Sequence, residues 1–296
     1  MAATHRTRMD RAFDIFNYTV LTFVLIVVLY PLYTVVISSI SDPDLVNSGK
    51  VWLFPRGITF EGYERIFSDS SIWLGYRNSL LYMTVGTVVN VSLTLTSGYA
   101  LSRADLAGRN FFMLLITFTM FFGGGLIPTY LLVKQLGMVN TMWALIVPGA
   151  VGAYNIIIAR TFFQSSIPNE ILEAAQMDGC SNTRFFLRIV LPLSVPIVAV
   201  MVLFSAVGHW NAYFQALIYI RNENLYPLQL ILRKILIVNE SQDQMLANLT
   251  DMTEQRRIAD LMKYGVIMVA SLPMLVLYPF LQKYFVKGVM IGSIKG

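Results

Sequence analysis

Two histidines, His5 and His209, and one cysteine, Cys180, are the residues of this 296-residue chain best suited to metal ligation or nucleophilic attack. A metal centre needs about three or four such ligands converging on one point. Nucleophilic catalysis needs a nucleophile within hydrogen-bond reach of a base. Neither pattern is present, so no catalytic or metal-ligating residues are expected. A single cysteine also excludes an intrachain disulfide. Cys180 follows Gly179 and is either a reactive thiol or a small residue in a packed turn. There is no G-x-x-x-x-G-K-[ST] phosphate loop, so this chain is not expected to bind ATP. What remains is recognition chemistry. Asn90, Tyr130, Asn155, His209, Trp210, Asn211 and Tyr213 place amides, aromatic faces and an imidazole inside otherwise apolar stretches. Such groups line a path for a hydroxyl-rich solute, or they hydrogen-bond between helices. The run 209–213 is the best candidate for a path or gate. Its alternative role is to anchor a helix at the membrane surface, where Trp and Tyr concentrate.

The elements that carry these residues are set by composition. Hydrophobic residues are 56% of the chain and charged residues 13%. The mean hydropathy is +0.61. Soluble domains carry about 25% charged residues, so the solvent here is the bilayer. The net charge of +5 comes mostly from basic residues at segment ends, with no stacking pattern beside them, which excludes nucleic acid as a partner. An all-α integral membrane protein is expected, because backbone groups in lipid must be satisfied within the segment. Long, nearly charge-free runs predict six transmembrane helices at about 15–41, 78–102, 110–133, 137–160, 188–214 and 263–284, in a single domain 1–296. The first run is too long for a signal peptide core and is read as a retained span. With an even number of spans both termini share one side. The 22 basic residues divide equally, 11 and 11, between the two sides. Those of the shorter segments crowd the span ends, which places both termini in the cytoplasm. The segment 217–262 then faces outward. Its apolar stretch 225–232 predicts that it folds back onto the membrane or a partner.

Three features interrupt this pattern. Gly123-Gly124-Gly125 and Pro128 break the third span, each glycine costing about 1 kcal/mol against alanine in a helix interior. They mark an unwound stretch lining a cavity, or a close helix contact. Pro192 and Pro196 should kink the base of the fifth span, since each lacks a backbone donor. Between the fourth and fifth spans lies the polar segment 164–187. There Ser166 is the expected N-cap, with Pro168 and Glu170 in the first turn. Ile167, Ile171, Ala174 and Ala175 fall on one helical stripe. Gly179 suits the position that ends the helix, and Ser181 or Asn182 caps the next one.

The combination of Glu173, Ala174, Ala175, Asp178 and Gly179 with Ile189, Leu191 and Pro192 resembles the EAA loop of type I ABC importer permeases. The ending 282–296 resembles the terminal tail of the carbohydrate-uptake class, which includes the smaller membrane subunits of maltose importers. Ile158–Phe163 and His209–Tyr213 are similar to the subgroup for complex oligosaccharides. Within it the chain most resembles the second membrane subunit of alginate importers. Cys180 departs from the alanine usual there. The resemblance implies the MetI-like permease fold and a pore half that does no chemistry itself. It implies that Glu173, Ala174, Ala175, Asp178 and Gly179 dock an ATPase, and that Gly292, Lys295 and Gly296 reach between two ATPase subunits. It implies further partners: a second, non-identical permease, an extracytoplasmic solute-binding protein and an oligosaccharide substrate, in the bacterial cytoplasmic (inner) membrane. ATP and magnesium belong to the ATPase, and no cofactor belongs to this chain. A secondary transporter or channel would want an ionisable relay or repeats within its spans, and only His209 is ionisable there. Another ABC importer, for a non-sugar solute, would share the EAA loop.

Overall fold

A computed structural model describes residues 8–245, 257, 260 and 262–279. Among them there is no strand. The helices are α1 (Arg8–Ser38), α2 (Pro43–Asn47), α3 (Glu61–Ser68), α4 (Ser70–Ser102), α5 (Arg109–Phe121), α6 (Leu126–Gln135), α7 (Trp143–Ile146), α8 (Ala153–Ser166), α9 (Asn169–Met177), α10 (Asn182–Phe185), α11 (Leu191–Leu193), α12 (Val195–Trp210), α13 (Phe214–Tyr219), α14 (Leu228–Met245) and α15 (Met262–Pro279). A π-helical turn, Phe186–Val190, joins α10 to α11.

Among the described residues three helices, α1, α4 and α15, are long and apolar enough to cross a membrane. The count rises to five if two bent pairs each make one span: α5 with α6, bent by 115°, and α10–α11 with α12, bent by 84°. The expected fourth span, 137–160, is not one helix. Asn140 is left-handed, with φ of 64°. Helix α7 stops at Ile146, and Pro148, Gly149 and Gly152 keep 147–152 out of helix before α8 begins. Two expected interruptions are present. Residues 122–125 are unwound between α5 and α6. The bend between α11 and α12 falls at Ser194, between Pro192 and Pro196. The hydroxyl of Ser194 is buried there without a hydrogen-bond partner among the described residues.

The chain divides into two compact units, residues 1–69 with 234–271, and 70–233 with 272–296. In the first, α1 is exposed along almost its whole length. The loop after it is tied down. Asp42 caps α2 by accepting from the backbone N–H of Asp44 at 2.9 Å. The Tyr63 hydroxyl donates to Ser39 Oγ at 2.8 Å. Thr59 N donates to the Ile40 carbonyl at 3.1 Å.

In the second unit α4 is the axis, packed against α8 and α12. Its core joins Val91 and Leu95 of α4, Ala159 and Phe163 of α8, Ala175 of α9, Phe185 of α10, and Ile197 and Met201 of α12. Gly86 lets α12 approach: a Cβ there would stand 2.5 Å from the His209 ring. The start of segment 217–262, expected to fold back onto the membrane or a partner, packs on α4 of its own chain. Asn78 Nδ2 donates to the carbonyls of Asn224 and Tyr226 at 2.8 and 3.1 Å. Leu228 N donates to Ser79 Oγ at 2.8 Å, and Leu228, Leu230 and Leu232 are buried.

Candidate functional site

Helix α9 starts later than its sequence suggests. Ser166 is the last residue of α8, not a cap. The residue before a proline is pushed toward extended backbone, and Ile167 takes φ −114° and ψ 100° ahead of Pro168. Pro168 itself occupies the N-cap position, with no side-chain cap bond. The other end is as expected. Gly179 adopts φ of 70°. Its N–H donates to the Gln176 carbonyl at 3.0 Å, and Cys180 N donates to the Ala175 carbonyl at 2.9 Å. These two bonds form a Schellman motif, which satisfies the orphan carbonyls of the last turn. Ser181 Oγ then accepts from Arg184 N at 3.4 Å and caps α10.

The inward face of α9 differs from the expected stripe by one position. Ile171, Leu172 and Ala175 pack on the core with Ile167. Ala175 is buried and Ala174 is exposed. A stripe through Ile167 and Ile171 continues at i+4 to Ala175, so the neighbouring alanine turns away. Ala175 is therefore part of the chain's own core. Glu173, Ala174, Asp178 and Gly179 are exposed, and so is Met177, at 90%.

Three arginines gather at the end of α4, and one of them, Arg103, ties it to this segment. Arg103 donates from Nε and Nη2 to the two Asp105 carboxylate oxygens at 2.7 and 2.5 Å. Its Nη1 donates to Asn182 Oδ1 at 2.9 Å and to the Tyr99 hydroxyl at 3.3 Å. Arg160 Nε donates to the Leu101 carbonyl at 3.0 Å, and Arg109 Nη1 to the Arg103 carbonyl at 3.3 Å. The hydrogen bond from Arg103 holds the Asp105 carboxyl below its ordinary pKa, and the same bond holds Arg103 above its own. Arg103, Asp105, Arg109, Pro168, Glu173 and Gln176 line an open groove of about 500 Å³ beside α9. Nothing in the spacing of Arg103 and Asn182 marked them as partners. The bond joins positions 79 apart.

The expected path residues are not brought together. Asn90 is buried and engaged internally: Nδ2 donates to the Gly149 carbonyl at 3.2 Å, and Oδ1 accepts from Ser205 Oγ at 3.0 Å and Thr94 Oγ1 at 3.4 Å. It ties α4 to α12 and to the break before α8. Tyr130 stacks on Tyr219, with centroids 6.0 Å apart and planes 6° apart. Asn155 lies beside Gly152. The run 209–213 points several ways. His209 packs on Gly86. Trp210 is buried, 5.9 Å from the Tyr76 ring. Asn211 is exposed, and its Nδ2 donates to the Val207 carbonyl at 3.0 Å, closing the end of α12. Tyr213 is exposed, with the Arg233 guanidinium 4.8 Å from its ring centre. The unwound glycines do line a cavity, of about 470 Å³, with Thr129, Pro148, Gly149, Gln215 and Tyr219. The tail residues Gly292, Lys295 and Gly296 lie outside the described residues.

Comparison with known proteins decides what this arrangement belongs to. No family model matches the chain. Protein LplC of Bacillus subtilis (strain 168) is 39% identical over 292 residues, 99% of this chain and 98% of its own length. The polygalacturonan/rhamnogalacturonan transport system permease protein YtcP of the same organism is also 39% identical, over 97% of this chain and 99% of its own. The chain belongs to the permease subunits of sugar ABC importers. A crystal structure of a bacterial ABC transporter that imports the acidic polysaccharide alginate contains a chain 31% identical to this permease. The match has a TM-score of 0.84 and covers 96% of this permease and all of that chain. The permease is thus a pore-forming, multi-pass inner-membrane protein. Its family works with an ATPase, a solute-binding protein and a second permease. Its relatives are transport permeases, which are not themselves catalytic subunits.

Proposed function

We propose that this permease is one half of the pore of an ATP-driven importer for an oligosaccharide, and that α9 couples it to the ATPase. The observation that carries this reading is the placement of α9. One face is built into the core shared by α4, α8 and α12, while Glu173, Ala174, Asp178 and Gly179 stay exposed. A short helix that is rigid behind and open in front can pass a push from a docked partner into the spans. The complete importer then holds this chain, a second non-identical permease and two ATPase subunits that carry the ATP and magnesium. The tail with Gly292, Lys295 and Gly296 reaches the ATPase pair. The chain crosses the membrane six times with both termini in the cytoplasm. An extracytoplasmic binding protein delivers sugar to the outward segment. The names of the relatives favour fragments of an acidic polysaccharide, with alginate as one candidate.

The test is Ala174→Trp. The side chain is exposed in this subunit, so the fold has no reason to change. A tight partner contact would be overpacked by about 1–3 kcal/mol. Sugar uptake and ATPase co-purification should both fall while the amount inserted in the membrane stays the same. Normal association and uptake would remove α9 from the docking role.

A further inference from the structure

One hydrogen bond sets the depth of the loop that follows α1. The Tyr33 hydroxyl donates to the Leu53 carbonyl. Helix α1 runs on past Tyr33 to Ser38, about 8 Å further at 1.5 Å per residue. The chain therefore leaves α1, passes through α2, and comes back alongside the helix it has just left. A hydrocarbon core of about 30 Å, counted from Ile15 just past Asp14, ends about twenty residues on, near Thr34. Tyr33 stands at that boundary, and it holds the Leu53 backbone at the same depth. The other limb of the loop is fixed as well. Arg56 N donates to Ser41 Oγ at 3.2 Å, and Asp42 N to the Arg56 carbonyl at 3.1 Å.

The side chains so placed are large and apolar. Trp52 is 70% exposed and Phe54 75%, with Leu53 exposed between them. No charge interrupts 51–55, while Lys50 and Arg56 flank it, both exposed. Leu32 and Val36, on either side of Tyr33 in α1, are exposed as well. A carbonyl taken out of water without a partner is costly, and Tyr33 supplies the partner that Leu53 needs there. Trp at the headgroup level and basic residues just outside it are what a membrane interface selects.

We infer that 51–55 is a wedge set into the headgroup–acyl boundary of the leaflet where α1 ends, held at that depth by Tyr33, and that its occupant is lipid. This rests on α1 crossing the membrane and not on the docking role of α9. The probe is the assembled transporter in phosphatidylcholine nanodiscs whose lipids carry bromine near the headgroup or deep in the acyl chains. The Trp52 signal is the difference between the wild type and Trp52→Phe. Shallow bromine should quench it more than deep bromine, and aqueous acrylamide should quench it little. In Tyr33→Phe the signal should lose shallow quenching and gain acrylamide quenching. Phe54→Trp in the Trp52→Phe background reads the same depth from the next side chain. Quenching by acrylamide alone would put the loop in water. Shielding from both quenchers would put it under another subunit. Either result overturns the wedge, and an unchanged profile in Tyr33→Phe overturns the depth lock.

Discussion

Asn90 is a buried polar residue that joins α4 to α12 and to the break before α8. Its amide serves Gly149, Thr94 and Ser205 at once, which leaves little capacity for a passing solute. Asn90→Ala strands the Gly149 carbonyl and the Ser205 hydroxyl. An unsatisfied buried group costs about 1–3 kcal/mol, so thermal unfolding of the detergent-purified subunit should move several degrees down. An unchanged midpoint would return Asn90 to the list of free path residues. From the sequence, Asn90 and Thr94 are visible as an i, i+4 pair. Ser205 is 115 residues away and no local pattern points to it. Arg103 poses the same problem at the groove beside α9. It spans Asp105 and Asn182 with one planar fork, a geometry that lysine cannot copy. Asp105 titrates below its ordinary value, so its stabilising charge is fully present above about pH 3.9 and is lost only as pH falls through the lowered value. The tie is therefore constant near neutrality. Asn182→Ala should lower the sugar moved per ATP hydrolysed, with complex yield and basal ATPase activity intact. An unchanged ratio would reduce the Arg103–Asn182 bond to local packing.

Two elements carry the mechanical argument, α9 and the bent pair formed by α10–α11 and α12. Their punctuation was legible because it is local chemistry. Gly179 ends a helix, Ser181 caps the next, and Pro192 and Pro196 prevent a straight span. What was not legible depends on contacts between distant segments. The inward choice of Ala175 over Ala174 is settled by packing on α4, α8 and α12. The broken fourth span arises where Pro148 and Gly149 lose helical bonds, and the Gly149 carbonyl finds Asn90 instead. The scatter of 209–213 follows from α12 ending at Trp210, which sends consecutive side chains in different directions. The bend also carries an anomaly. Ser194 is fully buried, and its hydroxyl has no hydrogen-bond partner among the described residues. In a rigid element, Ser194→Ala would raise stability by about 1 kcal/mol by removing a desolvated polar group. The expected outcome is a small rise in melting temperature with uptake unchanged. A variant that melts higher but transports poorly would show that the hydroxyl finds a partner in another conformation, making the 84° bend a working hinge.

For the whole molecule the open quantity is parity. In the proposed topology α1 is the first crossing, and Ser48 lies exposed in the loop beyond it. Ser165 lies exposed at the end of α8, just ahead of α9. Between the two, the proposed topology needs three crossings: α4, the α5–α6 pair, and the segment that ends in α8. The middle one is bent by 115°, and a pair bent that sharply can enter and leave by the same face. If it did, only two crossings would separate Ser48 from Ser165, and α9 would face the binding protein instead of the ATPase. Single cysteines decide this, placed at Ser48→Cys and Ser165→Cys in a Cys180→Ser background. In intact spheroplasts an impermeant thiol reagent should modify the first at once. The second should react only after the membrane is opened. Backbone economy favours this result: unwound residues at membrane depth are tolerated where they line a cavity or lie within protein, and Gly123–Gly125 line one. Modification of both positions from outside would make α5–α6 a re-entrant loop. It would end the six-span reading and leave α9 on the wrong side of the bilayer to meet an ATPase.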